Sequence, residues 1–365
     1  MADIKAIKAA PVLMIGSASP HTARIVTGLC RAGQPVVLVS NAAMSIEPSP
    51  ELLHCAVLDL SVTALRTTAR LRELITRWAP KVVHAQQANS VGWHAARAVR
   101  GSGVPLVLTL WGSDVLLLPA RGPLYRRLVR VALQGASAWT ADARVVLEAA
   151  HALVPAPARP VHQALIPLGI DDAILDPANA PPRERRLLSC RLHKPLYRID
   201  AIIRAFARLL PAHPGWVLEV AGTGTETPAL QALATELGMS DQIEFTGFLG
   251  LAEVRTAYRR AALFVSVPES DGTSVSLLEA LGSGCIPVVS DLPANREWIV
   301  DRMNGFLAAK IDHLEDDLTE AMAAWEAQTW AGGPGAMNQA LVRRTAVFTR
   351  NIEQFMEVYD RVNAR

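Results

Sequence analysis

Residues 263–290 read LFVSVPESDGTSVSLLEALGSGCIPVVS. The segment opens on an apolar, β-rich run, Leu263 to Val267, turns through small polar residues, continues as a helical pattern from Val275 to Ser283 and closes on a second β-rich run, Pro287 to Ser290. Strand, turn, helix and strand in so short a span make a βαβ unit, whose two strands lie parallel with the helix packed across them. The same alternation precedes it: Leu187 to Cys190, Trp216 to Ala221 and Ile243 to Phe245 are strand-like, while Ile199 to Leu210, Ala229 to Gly238 and Leu251 to Arg260 are helical. The N-terminal half repeats the pattern with strands at Val12 to Gly16, Val36 to Ser40, Cys55 to Leu58, Val82 to Ala85, Leu106 to Leu110 and Ser137 to Thr140. Helical patterns over Thr22 to Arg31, Val62 to Trp78 and Val91 to Arg100 lie between them. These runs predict an α/β protein of two tandem Rossmann-like, doubly wound domains. Proline is dense in Val154 to Pro160 and again in Asp176 to Arg186, which sets the junction near Ile166 to Ile170 and the domains at 1–168 and 169–344. Sheets of this kind bind ligands beyond the C-terminal ends of their strands, so a site in an interdomain cleft is expected.

Composition agrees with that plan. With 365 residues, 50% apolar, 19% charged and 5% aromatic, the chain is suited to two globular domains and not to disorder or coiled coil. No apolar stretch approaches the ~18 residues that a membrane span needs. Lys5 and Lys8 precede only the run Ala9 to Ile15, which Pro11 interrupts, so a signal peptide is not expected. Cys30, Cys55, Cys190 and Cys285 show no C-x-x-C spacing and no H-E-x-x-H occurs, which disfavours disulfides and zinc and points to a reducing cytoplasm.

Net charge hides an asymmetry: residues 1–168 hold 17 Lys+Arg and 8 Asp+Glu, and residues 169–365 hold 19 and 26. A basic first half attracts nucleic acid, an anionic membrane surface or a phosphorylated substrate. Its arginines are not interleaved with aromatics or glycines as in a nucleic-acid module, so no nucleic acid is expected. Arg121, Arg126, Arg127 and Arg130 share a helical segment with Leu124, Tyr125, Leu128 and Val129, which reads either as a solvated helix face or as a membrane-facing patch.

Two glycine turns and one longer turn are candidates for ligand contact. Ile15 to His21 stands where a dinucleotide fold carries G-x-G-x-x-G, but only Gly16 is present, followed by Ser17, which removes the main support for a dehydrogenase. Gly222-Thr223-Gly224 follows a strand and precedes a helix; it is either a tight turn or a ligand-lining one. Pro268 to Ala280 carries more. The backbone amides of Gly272, Thr273, Ser274 and Val275 stand at a helix start, where unsatisfied N–H groups and the macrodipole favour a phosphate. Glu279 lies about one turn inside, leaning back toward that end and able to reach a pair of sugar hydroxyls, and Asp271 lies on the turn. The alternative is that Asp271 or Ser274 caps the helix and Glu279 is a surface residue.

These residues carry a resemblance. Two carboxylates separated by seven residues, Asp271 and Glu279, followed by Ala280 and Gly284-x-x-Pro287-Val288-Val289, resemble the motif of the retaining glycosyltransferases of family four, which have the GT-B fold. Asn304-Gly305-Phe306-Leu307, Ile166-Pro167-Leu168-Gly169-Ile170-Asp171, Phe245-Thr246-Gly247 and Ser189 to Asp200 are similar to further elements of that family, in the family's order. The resemblance implies a metal-independent glycosyltransferase of the hexosyltransferase type with no cofactor. Its partners would be a nucleotide diphosphate sugar donor, a glycan or lipid-linked acceptor and an anionic membrane surface, and its place the cytoplasm, peripheral on the inner face of the membrane. It implies that Glu279 binds the donor ribose, that Asp271 and the amides of 272–275 hold the transferred sugar and diphosphate, and that Arg191 and Lys194 neutralise the phosphates. It also implies that the first domain binds the acceptor, that the second binds the donor, and that a C-terminal helix within 338–363 packs back on the first domain from about residue 345.

Thr109-Leu110-Trp111-Gly112-Ser113-Asp114 resembles the family's H-G-x-D, with Trp111 where the histidine usually stands. Trp111 reads either as a sugar-stacking ring or as a core residue with its N–H satisfied, and Asp114 as an acceptor contact or, preferably, a helix cap. His21 and His84 also sit at strand ends or first turns and are read as structural. Rival readings are a GT-B epimerase or phosphorylase and a non-catalytic nucleotide-sugar-binding subunit.

Overall fold

In the computed structural model residues 9–176, 182–330 and 333–364 are described, so Lys5, Lys8, Pro177 and Pro181 lie outside the described residues. The chain packs as two units, Met1–Leu168 with Phe348–Arg365 and Gly169–Val347.

The first unit is built on seven parallel strands: β1 (Val12–Gly16), β2 (Val36–Ser40), β3 (Leu52–Val57), β4 (Val82–Gln86), β5 (Leu106–Leu110), β6 (Ala138–Ala141) and β7 (His162–Leu165). Their order is 3-2-1-4-5-6-7. Strands β1, β2, β4 and β5 are buried throughout, as strands covered on both faces must be, and all but β4, which carries His84 and Gln86, are nearly continuous apolar runs. The order reverses between β1 and β4, which opens a crevice beyond their C-terminal ends. Strand β7 is a half-exposed edge that opens on two polar residues, His162 and Gln163, which hides it from a search for apolar runs.

The second unit has six parallel strands: β8 (Glu184–Cys190), β9 (Val217–Ala221), β10 (Ile243–Gly247), β11 (Ala261–Ser266), β12 (Ile286–Ser290) and β13 (Phe306–Ala308), in the order 10-9-8-11-12-13. Here the reversal falls between β8 and β11. Phe206, Trp216, Leu218 and Val265 fill one core layer; Phe264, Leu278, Leu281 and Tyr258 fill another. Both units are Rossmann-like, doubly wound sheets.

The C-terminal region departs from expectation. In place of one helix within 338–363 there are two, Pro334–Thr345 and Phe348–Asn363. Val347 pairs with Ile170, whose N–H donates to the Ala346 carbonyl at 2.8 Å. The break therefore comes from tertiary pairing, since the sequence between the helices contains neither proline nor glycine. The first of these helices packs on helix Val275–Ser283 of the second unit. The other belongs to the first unit, burying Ile352, Phe355, Val358, Tyr359 and Val362. Gly28 has no room for a Cβ there, because Ile352 and Phe348 occupy its space.

Candidate active site

At the reversal in the second unit, the segment after β8 meets the turn after β11. Arg191, 9% exposed, donates to Asp271 Oδ2 at 2.6 Å and to Ser274 Oγ, and its guanidinium lies 4.3 Å over the Tyr197 ring. Burial works against the Arg191 charge, but the Asp271 carboxylate beside it prevails and holds its pKa above arginine's ordinary value. Asp271, 22% exposed, also accepts from the Gly272 N–H at 3.1 Å. Four expected site residues, Arg191, Asp271, Gly272 and Ser274, thus form one hydrogen-bonded group.

Helix Val275–Ser283 begins where the sequence places it. Ser274 is its N-cap, accepting from the Leu277 N–H at 3.3 Å, so the cap is the serine and not Asp271. Gly272 and Thr273 are buried beside it, Thr273 Oγ1 accepting from Trp298 Nε1 at 3.2 Å, and Val275 is half-buried. Ser276 ties this helix to the end of β8 through the Cys190 carbonyl at 2.8 Å. Glu279 is half-buried rather than a surface residue. Burial pushes the Cys190 thiol up to about 12, with the Glu279 carboxylate adding to it, which places Glu279 against the same strand end.

The two glycines after β9 have a packing reason. Gly222 has φ +116°, and a Cβ there would collide with the Arg191 carbonyl; a Cβ on Gly224 would collide with the backbone of His193. The glycine turn therefore supports the Arg191 segment from below. Lys194 follows with an exposed side chain that takes part in no hydrogen bond or ion pair among the described residues.

The expected residues of the first unit cluster at its own reversal. Gly16 ends β1, where a Cβ would press on the Thr22 side chain. Ser17 lines a cavity of about 500 Å³ with Asn41, Asp59, Ser61, Asn89 and Ser90. Trp111 is half-buried, its Nε1–H donating to Gln86 Oε1 at 2.9 Å and its ring stacked on His21 at 5.5 Å. Asp114 differs from the preferred helix-cap reading. Gly112 holds the N-cap position, and the buried Asp114 carboxylate accepts from the N–H groups of Ala88 at 2.7 Å and Trp111 at 3.1 Å. It joins the turns after β4 and β5, and burial pushes its pKa up to about 6 despite those donors.

Sequence reasoning passed over Tyr197, Gln86 and Gln87. Gln87 has φ +86°, an unusual backbone for a side-chain-bearing residue, at the turn that leaves β4. A side chain's long-range partner leaves no local pattern, and the only available signal was two adjacent glutamines at the end of an apolar strand.

Two family descriptions match the chain: Glycosyl transferases group 1 over residues 172–332 and Glycosyl transferase 4-like over residues 12–143. The GtfA subunit of a UDP-N-acetylglucosamine–peptide N-acetylglucosaminyltransferase from Streptococcus pneumoniae is 27% identical over 44% of this chain and 31% of its own. The lipopolysaccharide core biosynthesis mannosyltransferase LpcC of Rhizobium leguminosarum is 33% identical over 34% of this chain and 36% of its own. The chain thus spans about a third of the length of these curated relatives. Among solved structures, sucrose-phosphate synthase from Thermosynechococcus elongatus matches with a TM-score of 0.80 at 15% identity, covering 98% of this chain and 100% of its own. Anabaena HepE in complex with UDP matches at 0.76 and 15%, covering 96% and 99%. With both halves matched and the fold shared end to end, the chain belongs to the GT-B, family four-like glycosyltransferases.

Proposed function

We propose that this chain transfers a sugar, with retention at the anomeric carbon and without a metal, from a nucleotide diphosphate sugar to a glycan, lipid-linked or small-molecule acceptor. The observation that carries the reading is the group of Arg191, Asp271 and Ser274 at the crevice between β8 and β11, beside the N-terminus of the nine-residue helix Val275–Ser283. Arg191 and Lys194, with the amides of Gly272 to Val275, neutralise the diphosphate. Glu279 binds the ribose hydroxyls, Asp271 faces the transferred sugar, and the turn of Gly222 and Gly224 supports the phosphate-binding segment. The bond between the anomeric carbon and the phosphate oxygen breaks with its electron pair going to the phosphate. The acceptor oxygen attacks on the same face, and its proton passes to the departing phosphate, so no enzyme base is needed. UDP in the HepE and GtfA structures supports a nucleotide sugar as donor.

The first unit takes the acceptor along the edge formed by Gly16, Ser17, Trp111 and the turn that Asp114 fixes. Its membrane partner is an anionic surface, met from the cytoplasmic side by helix Pro123–Gln134. Residues 115–141 contain no acidic side chain, and the side chains of Arg121, Arg126, Arg127 and Arg130 take part in no hydrogen bond or ion pair among the described residues. Arg126, Arg127 and Arg130 line an open groove of about 590 Å³ next to Leu124, 69% exposed, and Tyr125, 42% exposed. No helix of the described residues is long and apolar enough to cross a membrane.

A thermal-shift screen against UDP, GDP, TDP and ADP and their sugars tests the donor site, since a ligand at 100 times its Kd adds ~2.7 kcal/mol. Stabilisation by one nucleotide, followed by sugar transfer with retention, is expected; no stabilisation by any of them would overturn the reading.

A further inference from the structure

Strand β4 is buried throughout, yet one of its faces carries His84 and Gln86, two polar side chains in a core where apolar ones of similar size would fill the space. His84 Nδ1 lies 2.6 Å from the Tyr359 hydroxyl. His84 Nε2 lies 2.6 Å from the Thr109 hydroxyl and 3.2 Å from Gln86 Nε2. Thr109 Oγ1 lies 2.7 Å from Thr140 Oγ1, and Gln86 Oε1 accepts from Trp111 Nε1 at 2.9 Å.

The chain has one consistent direction. An indole N–H only donates, so Gln86 turns its oxygen to Trp111 and its amide N–H groups to His84 Nε2 and Met14 Sδ. His84 Nε2 must then accept, its one lone pair taken mainly by the Thr109 hydroxyl at 2.6 Å and shared with the Gln86 N–H at 3.2 Å, which puts the imidazole proton on Nδ1, donating to Tyr359 Oη. Thr140 in turn donates to Thr109. Each side chain of the chain has a partner, and burial holds the His84 pKa down to about 3, so the imidazole stays neutral and the direction is kept. What this chain fixes at its outer end is Trp111, half-buried and stacked on His21 with the rings 22° apart, at the edge where β1 and β5 end.

We propose that Gln86 and His84 are positioning residues for Trp111. With its N–H taken by Gln86, Trp111 meets the substrate as a stacking surface for a sugar ring, not as a hydrogen-bond donor. The stacking half rests on the glycosyl-transfer reading above; the positioning half does not. Heteronuclear NMR of the intact protein reads the positioning, with the Trp111 indole assigned by Trp111→Phe. The expected result is His84 protonated at Nδ1 and a Trp111 indole signal that moves in Gln86→Met; a proton on Nε2, or an indole signal unmoved in Gln86→Met, would overturn it. Titration with methyl glycosides of glucose, mannose, galactose and N-acetylglucosamine reads the stacking without turnover: at least one should shift the Trp111 indole, and no shift with any would sink that half. In donor turnover, Trp111→Phe should lose several-fold less than Trp111→Leu because a ring face remains. Folded Trp111→Leu should lose about tenfold or more, mainly as a raised KM, and Gln86→Met should follow it in part. Equal rates for Trp111→Phe and Trp111→Leu, in a protein that does transfer sugar, would remove the stacking role and leave the transferase reading intact.

Discussion

Replacing Asp271 by asparagine tests whether Arg191 is shared between a carboxylate of the protein and the phosphates of the donor. The guanidinium has the Asp271 carboxylate at 2.6 Å, the Ser274 hydroxyl and the Tyr197 ring as partners. Removing one member of a fully buried ion pair costs about 3–5 kcal/mol. Asp271 is 22% exposed and two partners of Arg191 survive, which lowers the expected loss to roughly 2 kcal/mol. For a unit of this size each kcal/mol moves Tm by about 2–4 °C, so Asp271→Asn should melt ~4–8 °C lower. A bound diphosphate supplies Arg191 with a replacement anion, so in a saturating concentration of the nucleoside diphosphate selected by thermal shift the deficit should fall to about half or less. Calorimetry of wild type and variant, each with and without that nucleotide, gives the four numbers. A deficit that is the same in both conditions would mean that Arg191 and the diphosphate do not meet, and the cation assignment would fall.

Other outcomes follow from the same geometry. Glu279→Gln should mainly weaken donor binding while Asp271→Asn mainly lowers kcat, and EDTA should leave the rate unchanged; wild-type kinetics for both variants or strong metal dependence would contradict the site. Asp114 has a folded pKa of about 6, above its ordinary value of 3.8, so its contribution to stability is full below the lower value and declines as pH rises through the higher one. The non-titrating Asp114→Asn should therefore lose less relative to wild type at pH 8 than at pH 4, by on the order of 2 kcal/mol in urea unfolding; the opposite trend would show that the backbone donors outweigh burial. Arg126→Glu, Arg127→Glu and Arg130→Glu together should reduce sedimentation with anionic vesicles, more at low salt, and unchanged binding would leave these arginines as a solvated face. Deleting the chain after Arg344 removes five buried apolar side chains, worth about 1.5–3 kcal/mol each and together comparable with the whole stability of a domain, and bares the face they cover, so the product should be insoluble; an unaltered Tm would refute the packing.

The parallel sheets were legible because both-face burial makes strands into apolar runs, and helix Val275–Ser283 was legible to the residue because Ser274 caps it and Gly284 ends it with φ +80°. Strands β7 and β13 were missed, one because it is half-exposed and opens on two polar residues, the other for its length of three residues. The helix read from Val62 starts only at Thr67, after a turn in which the Ser61 carbonyl accepts from the Ala64 N–H at 3.1 Å. In the site, Asp271, Ser274 and Glu279 were found through local spacing. The partnership of Arg191 with Asp271, 80 residues apart, and of Asp114 with Ala88, 26 residues apart, left no local trace.

The pairing of Ile170 with Val347 has a consequence for synthesis. Both ends of the second unit leave it side by side, so that unit is a contiguous insertion, complete as soon as Val347 has been made. The first unit is discontinuous. Its seven strands emerge early, but the face over Gly28 and His84 that Ile352, Phe355 and Tyr359 cover stays open until helix Phe348–Asn363 leaves the ribosome. The half translated first is therefore the half finished last, and for the time needed to translate about half the chain its exposed apolar face is what a chaperone would meet.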